Sequence, residues 1–273
     1  MKTYLPNETK AERKARKALT KQSFSYSQPV LETPKKSLQT TDKVYVICLK
    51  WGNKYGPEYV HKLANMVQRH LTVNYEFICF TDDTKGLNPK IKTFKLPVLP
   101  VSGWWYKPWF LSDELPIKGT ALFFDLDLVI FSNIDKLFTY KPESKFVIIR
   151  DFNRHVRKNW DRMNSSVFRL EIGSQTKAYQ EFRNNITLIS KRFHGDQDFM
   201  YKYITKFDFW PDEWIQSYKW EMRGRNELGI VNGKRNFKTI GVPVVQQQTS
   251  VAVFHGDPNP ADCTDQWVVD NWR

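Results

Sequence analysis

ALFFDLDLVIFSNIDKLF, residues Ala121–Phe138, sets two carboxylates, Asp125 and Asp127, inside an otherwise apolar run. Thr120–Phe124 reads as a strand, and the pair stands at its end. In an open α/β sheet, ligands bind beyond the carboxyl ends of the strands. Residues two apart on an extended chain point to the same side, so both carboxylates can face one ligand. Side by side and desolvated, they repel unless a cation joins them. Oxygen ligands with open water positions suit Mg²⁺ or Mn²⁺, and such an ion can hold a diphosphate. The plainer reading is a pair of turn aspartates. The apolar walls on both sides weigh against it, because carboxylates placed there without a partner are costly.

The flanking sequence supplies the sheet. VYVICL (Val44–Leu49) is apolar and β-rich, as in a strand covered on both faces. Pro57–Leu71 carries Val60, Leu63, Ala64, Val67 and Leu71 at helical spacing. Tyr75–Phe80 is a second buried strand, which completes a parallel βαβ unit. Further strands are expected over Ile91–Leu96, Lys145–Asp151 and Ser166–Gly173. Helices are expected over Trp104–Leu115, with Pro108 in its first turn, and over Gln175–Asn184. VAVFHGDPNP (Val251–Pro260) reads as a last short strand that breaks into a Gly/Pro loop. The expected fold class is α/β, a Rossmann-like, mainly parallel twisted sheet flanked by helices.

The chain has 273 residues, 15% of them aromatic, which is enough for one large domain with a real core. Its formal charge is +13. Residues 1–43 contribute +6 of this through 10 Lys/Arg against 4 Asp/Glu. They are expected to form a flexible basic arm, followed by one domain over 44–273. Within the arm, Thr9–Lys21 reads as a basic helix, either solvated or docked on an anionic surface. Cys48, Cys79 and Cys263 are odd in number and lack metal-finger spacing, so they read as reduced thiols of a cytoplasmic protein. No apolar run reaches the roughly 18 residues of a membrane span, and the N-terminus lacks the apolar stretch of a secretory signal.

With these landmarks in place, the Asp125/Asp127 stretch resembles the metal motif of nucleotide-sugar glycosyltransferases of the GT-A fold. The chain is similar to the group around glycogenin and the bacterial lipopolysaccharide galactosyltransferases, from about Val44 to Pro260. The resemblance implies a metal-dependent transferase that moves a sugar from a nucleotide-diphosphate sugar, uridine-linked, to an acceptor hydroxyl. It implies a loop at Cys48, Leu49, Lys50 and Trp51 that holds base and ribose, with Thr81 and Asp82 at the same sheet edge. Lys107, in WWYKPWF, matches the family's basic residue that contacts the donor and the first motif aspartate. Asn164, in MNSSVF, would hydrogen-bond the transferred sugar, although Ser166 stands where the family often has glycine. Asp196 and Gln197, in GDQDFM, would face the donor sugar near its reacting carbon. His255 matches the third metal ligand beside Asp125 and Asp127 and tilts the choice toward Mn²⁺, while Gly256 would approach the diphosphate. Asn259 replaces the lysine common in that loop, which shifts one diphosphate contact to another base such as Lys107 or Arg225.

The retaining or inverting outcome stays open: in an inverting enzyme Asp196 or Asp198 would serve as base. The Trp/Arg-rich stretch Phe207–Arg235 is expected to form an acceptor wall through Trp210, Trp214 or Trp220. Two rivals explain part of the pattern. A nucleic-acid binding or modifying protein accounts for the charge and aromatics but not for the aspartate pair. A metal-dependent nucleotidyltransferase accounts for the pair but usually needs more acidic ligands.

Overall fold

The computed structural model describes residues 44–155, 157–223, 225–231, 234–239 and 241–273. The arm over residues 1–43 and the basic helix expected at Thr9–Lys21 lie outside the described residues. The first half of the chain forms β1 (Val44–Lys50), α1 (Pro57–His70), β2 (Tyr75–Thr81), β3 (Lys92–Lys95), β4 (Thr120–Phe124), β5 (Leu128–Ile130), α2 (Lys136–Thr139) and β6 (Phe146–Arg150). There follow β7 (Met163–Glu171), α3 (Thr176–Asn184), α4 (Ile186–Arg192), α5 (Asp196–Tyr203), β8 (Asp208–Phe209), β9 (Ile215–Ser217), β10 (Arg225–Val231), β11 (Lys234–Thr239), β12 (Val251–Val253) and α6 (Gln266–Asn271).

Seven strands make the main sheet, in the order β3-β2-β1-β4-β7-β6-β8. All pairings are parallel except those of β7 with β4 and with β6. Every residue of β1 is buried, and its alternation splits the core. Val46 and Cys48 face one layer, with Val60, Leu63, Met66 and Val67 of α1. Tyr45, Ile47 and Leu49 face the other, with Phe110, Phe182 and Phe199. Each such side chain contributes about 1.5–3 kcal/mol through burial. Pro57 at the first position and Arg69 and His70 in the last turn suit α1 to its direction.

One polar group is built into this core. Arg169 on β7 is 3% exposed. Its guanidinium donates to the carbonyls of Leu137, Phe138, Tyr140, Lys141 and Ser144. A chain segment that looks like a loop is thereby satisfied from inside.

Two expectations need correction, and the last strand joins a separate sheet. Trp104–Leu115 is not an α-helix: Gly103–Leu111 is a 3₁₀ segment, because Pro108 cannot donate and disfavours α geometry at Lys107. The strand expected from Ser166 begins at Met163, and its pairing with β6 shifts register between Ile148 and Ile149, a bulge that hid its start. The last strand, β12, joins a second sheet, in which it pairs antiparallel with β5 and parallel with β9. Among the described residues no helix is long and apolar enough to cross a membrane.

Candidate active site at the carboxyl edge of the main sheet

β4 runs out at Phe124, and Asp125 and Asp127 follow at once. The Asp125 amide donates to the Ser166 carbonyl at 2.8 Å, so β7 sets where the first carboxylate sits. β7 runs against β4, which brings its first residues, Asn164 and Ser165, to the same edge. β6 runs with β4, so Asp151, just beyond its end, arrives there too.

Lys107 is the cation of the site. The 3₁₀ segment buries it to 5% exposure, and its Nζ lies 2.7 Å from Asp125 Oδ1 and 4.0 Å from Asp196 Oδ2. It also donates to the Ser165 carbonyl at 3.1 Å. Burial works against this ammonium, yet the charges of Asp125 and Asp196 leave its pKa above the ordinary lysine value. Asp127 accepts from the Tyr55 hydroxyl at 2.8 Å. Burial and the neighbouring Asp125 push its carboxyl up to about 6. Burial likewise raises Asp196 despite Lys107, and Asp196 Oδ2 is buried without a hydrogen-bond partner. Asp125, Asp127 and Asp196 thus crowd one buried ammonium, and the pocket lacks positive charge.

The Asp-Gln-Asp stretch that opens α5 is tied to three different partners. Asp196 faces Lys107, Gln197 donates through its amide to Asp151 at 3.4 Å, and Asp198 pairs with Arg162 at 3.4 Å. Asp151 can only accept, so the Gln197 carbonyl oxygen is turned away from it. Asn164 accepts from the Ser166 amide at 2.9 Å, which fixes its side chain at the start of β7.

At the β1 end the site is built from backbone and two side chains. The Cys48 and Leu49 side chains lie in the core, 0% and 6% exposed, and burial beside Cys79 raises the Cys48 thiol. Lys50 is also buried, with only a 3.5 Å contact to the Gly52 carbonyl. The Trp51 indole covers Gly103 so closely that a Cβ there would come within 3.2 Å of the ring, at φ +68°. Asp82 accepts from the Gly52 amide at 2.9 Å and pins this loop to the end of β2. Thr81 is buried and bonded to the backbone of Asp83, so its role is to shape the turn.

The Phe254 amide donates to the Asp127 carbonyl at 3.0 Å, and this brings the following residue, His255, to the site. Its ring does not join the aspartates. Nε2 lies 2.6 Å from Ser217 Oγ, and the ring stacks on Phe152 and meets the edge of Trp220 at 4.6 Å. Burial, then Lys219, lower its pKa to about 3, so the imidazole is neutral. Among the described residues, no three His, Cys, Asp or Glu side chains gather closely enough to hold a metal ion. Asp125, Asp127 and His255 are thus not brought together as one set in this structure, where Ser217 holds the histidine. The two aspartates do fit a divalent cation, by their oxygen donors, their mutual repulsion and the shortage of positive charge around them.

Sequence reasoning missed several residues here. Lys219, in a π-helical turn over Tyr218–Met222, brings its Nζ to 3.2 Å from where a Gly256 Cβ would stand and 3.4 Å from the Asp257 carbonyl. Its ammonium stands at the loop in which Asn259 takes the place of a lysine. Tyr55, Ser165 and Ser217 were also unmarked. Asp151 carried a signal, as the acid that closes a strand parallel to β4. Of the expected acceptor wall, Trp210 is core at 1% exposure. Trp214 packs on Tyr140 and under Lys136. Trp220 alone of the three stands at the site, and the Arg225 side chain lies outside the described residues.

The sequence matches no family profile and no curated protein. Solved structures with the same fold are found. An active-site mutant of LgtC superposes with a TM-score of 0.55 at 10% identity, over 83% of this chain and 93% of LgtC. The galactosyltransferase LgtC in complex with donor and acceptor sugar analogues gives 0.53 at 12% identity, over 83% and 96%. The bifunctional glycosyltransferase WbbM gives 0.55 at 11% identity, over 84% of this chain and 49% of its own. Glycosyltransferase GlyE of Streptococcus pneumoniae TIGR4 gives 0.53 at 10% identity, over 85% and 61%. The chain has the GT-A fold of these proteins, the architecture expected from its sequence.

Proposed function

We propose that the chain is a glycosyltransferase that moves a sugar from a nucleoside diphosphate sugar, uridine-linked, to a hydroxyl of an acceptor. The observation that carries this reading is the Asp125/Asp127 pair at the carboxyl edge of β4, joined by Lys107 to Asp196. This is the ligand edge of the sheet, and the fold is shared with structures of glycosyltransferases.

In this reading the base and ribose lie along Lys50 and Trp51, with Asp82 holding their loop. Asp125 and Asp127 hold a divalent ion, Mn²⁺ or Mg²⁺, which when bound neutralises the diphosphate as it leaves. Lys219 and the backbone of Gly256 address the same phosphates. Asp196 accepts a sugar hydroxyl through its unpartnered oxygen, and Asn164 donates to another. The bond from C1 to the phosphate oxygen breaks, its electron pair leaves with the diphosphate, and the acceptor oxygen bonds to C1 as its proton passes to the departing phosphate oxygen. The Gln197 carbonyl oxygen, aimed by Asp151, stabilises the positive charge that develops at C1.

The test is release of nucleoside diphosphate from a panel of nucleotide sugars, with and without Mn²⁺, by the native chain and by Asp125→Ala and Asp127→Ala. Metal-dependent release from one donor, lost in both variants, supports the reading. Absence of release and of Mn²⁺-dependent binding with every donor refutes it.

A further inference from the structure

The loop from Asp151 to Arg162 forms one rim of the site and is rich in cations: Arg154, Arg157, Lys158 and Arg162. At one end Phe152 stacks on His255 at 5.4 Å. Towards the other, the Trp160 indole donates to Asp151 Oδ2 at 2.8 Å, the same oxygen that receives the Gln197 amide. The Asp151 carboxylate, in a residue 3% exposed, thus joins the loop to Gln197, and the Arg162–Asp198 pair ties it to the same helix.

Trp160 carries two guanidiniums. Arg157 lies 4.4 Å and Arg162 4.2 Å from its ring, and Asn159 turns the chain between them at φ +58°. Stacking of this kind orders an arginine and keeps its N–H edge open. Arg154 is consumed by Asp212 and Glu221, and Arg162 shares Asp198. Arg157 and Lys158 are exposed, and among the described residues neither has a carboxylate within ion-pair distance. In the reading above, the phosphates of a donor are addressed by Lys219 and the backbone of Gly256. Positive charge at the Trp160 rim is separate from these and is joined to Gln197 through Asp151.

We propose that the Arg157–Trp160–Arg162 rim is the acceptor subsite, and that the acceptor is a sugar bearing a phosphate or carboxylate beside its reacting hydroxyl. The proposal rests on the transferase reading above for the word acceptor, but not for the anion site itself. Arg157 forks onto the anion, Lys158 adds charge, and Trp160 holds the guanidinium in place.

The experiment uses the full chain with fluorine-labelled tryptophan. There are ten tryptophans, so the Trp160 resonance is assigned by its loss in Trp160→Phe. The probes are methyl glucoside, its 6-phosphate, methyl glucuronide, inorganic phosphate and a short single-stranded oligodeoxythymidine. In the native chain the phosphate and glucuronide forms are expected to shift Trp160 at about tenfold lower concentration than the neutral glucoside, the effect of one charge-assisted contact. Arg157→Gln removes that preference, and Arg157→Lys restores part of it. Equal response to neutral and charged glucosides overturns the proposal, as does an unchanged preference in Arg157→Gln. Inorganic phosphate as effective as the glucoside phosphate reduces the rim to a simple anion site and overturns the sugar assignment. Tighter, Arg157-dependent binding of the oligonucleotide overturns it in favour of nucleic acid. The preference is read on the native chain, so it does not depend on any variant folding. Donor hydrolysis without acceptor, measured alongside, separates the two readings: no hydrolysis with the preference intact refutes the transferase and keeps the anion site.

Discussion

Lys107 Nζ lies 2.7 Å from one oxygen of Asp125 and 2.9 Å from the other. Removing one partner of a buried pair leaves an uncompensated charge, at a cost of about 3–5 kcal/mol. Lys107→Met and Asp125→Asn should each lower stability in urea unfolding. The double variant should lose less than the two single losses together, with a coupling of about 2 kcal/mol. Strict additivity would mean that the pair is not coupled in solution.

His255 is held by Ser217, and this separates it from the aspartates in any binding assay. Asp127→Asn should weaken Mn²⁺ binding more than about 100-fold, beyond the range typical of an outer-shell change, and His255→Ala by about threefold or less. Mn²⁺ titration by electron paramagnetic resonance reads both. An equal loss in the two variants would show that the histidine leaves Ser217 to ligate the ion.

Lys219 Nζ lies over the Gly256–Asp257 loop, and in the proposed reading it addresses the donor phosphates. Lys219→Ala should raise the KM for the nucleotide sugar about tenfold, the size of one lost charge-assisted contact, with a smaller effect on kcat. The increase should shrink as salt rises. A KM equal to that of the native chain would remove Lys219 from the donor site.

Lys136 gives a pH signature away from the site. Burial beside Trp214, opposed by Glu213, lowers its pKa to about 8, from an ordinary 10.5. Between those values the unfolded chain binds the extra proton, so stability contributed here rises with pH. Below about pH 8 both states carry the charge and the cost of burying it is in place. The difference in unfolding free energy between the native chain and Lys136→Met should therefore narrow from pH 8 to 10 in favour of the native chain. A difference independent of pH would mean that the ammonium stays charged in the folded protein.

The main sheet was legible because its signal is local. The apolar run of β1 and the helical spacing of α1 state the βαβ unit within about 40 residues, the scale of such a motif. Asp125 and Asp127 were legible as charges at a strand end, and Lys107 as a lysine among aromatics that could not all be exposed. What stayed hidden depends on distant pairing. β5, β9 and β12 meet only in three dimensions, and each is three residues long, too short to show a period. Their union places Ser217 beside His255 and Lys219 over Gly256, so neither contact could be read from spacing. Trp210 and Trp214 misled because tryptophan between charged residues looks the same in sequence whether it lines a cleft or fills a core.

The Arg169 guanidinium has a practical consequence for anyone who cuts or splices this chain. The turn from Leu137 to Ser144 would pass for a surface connection, the usual place to insert a tag or open a permuted terminus. Five of its carbonyls are held by one side chain from the sheet, so lengthening it strands a buried charge.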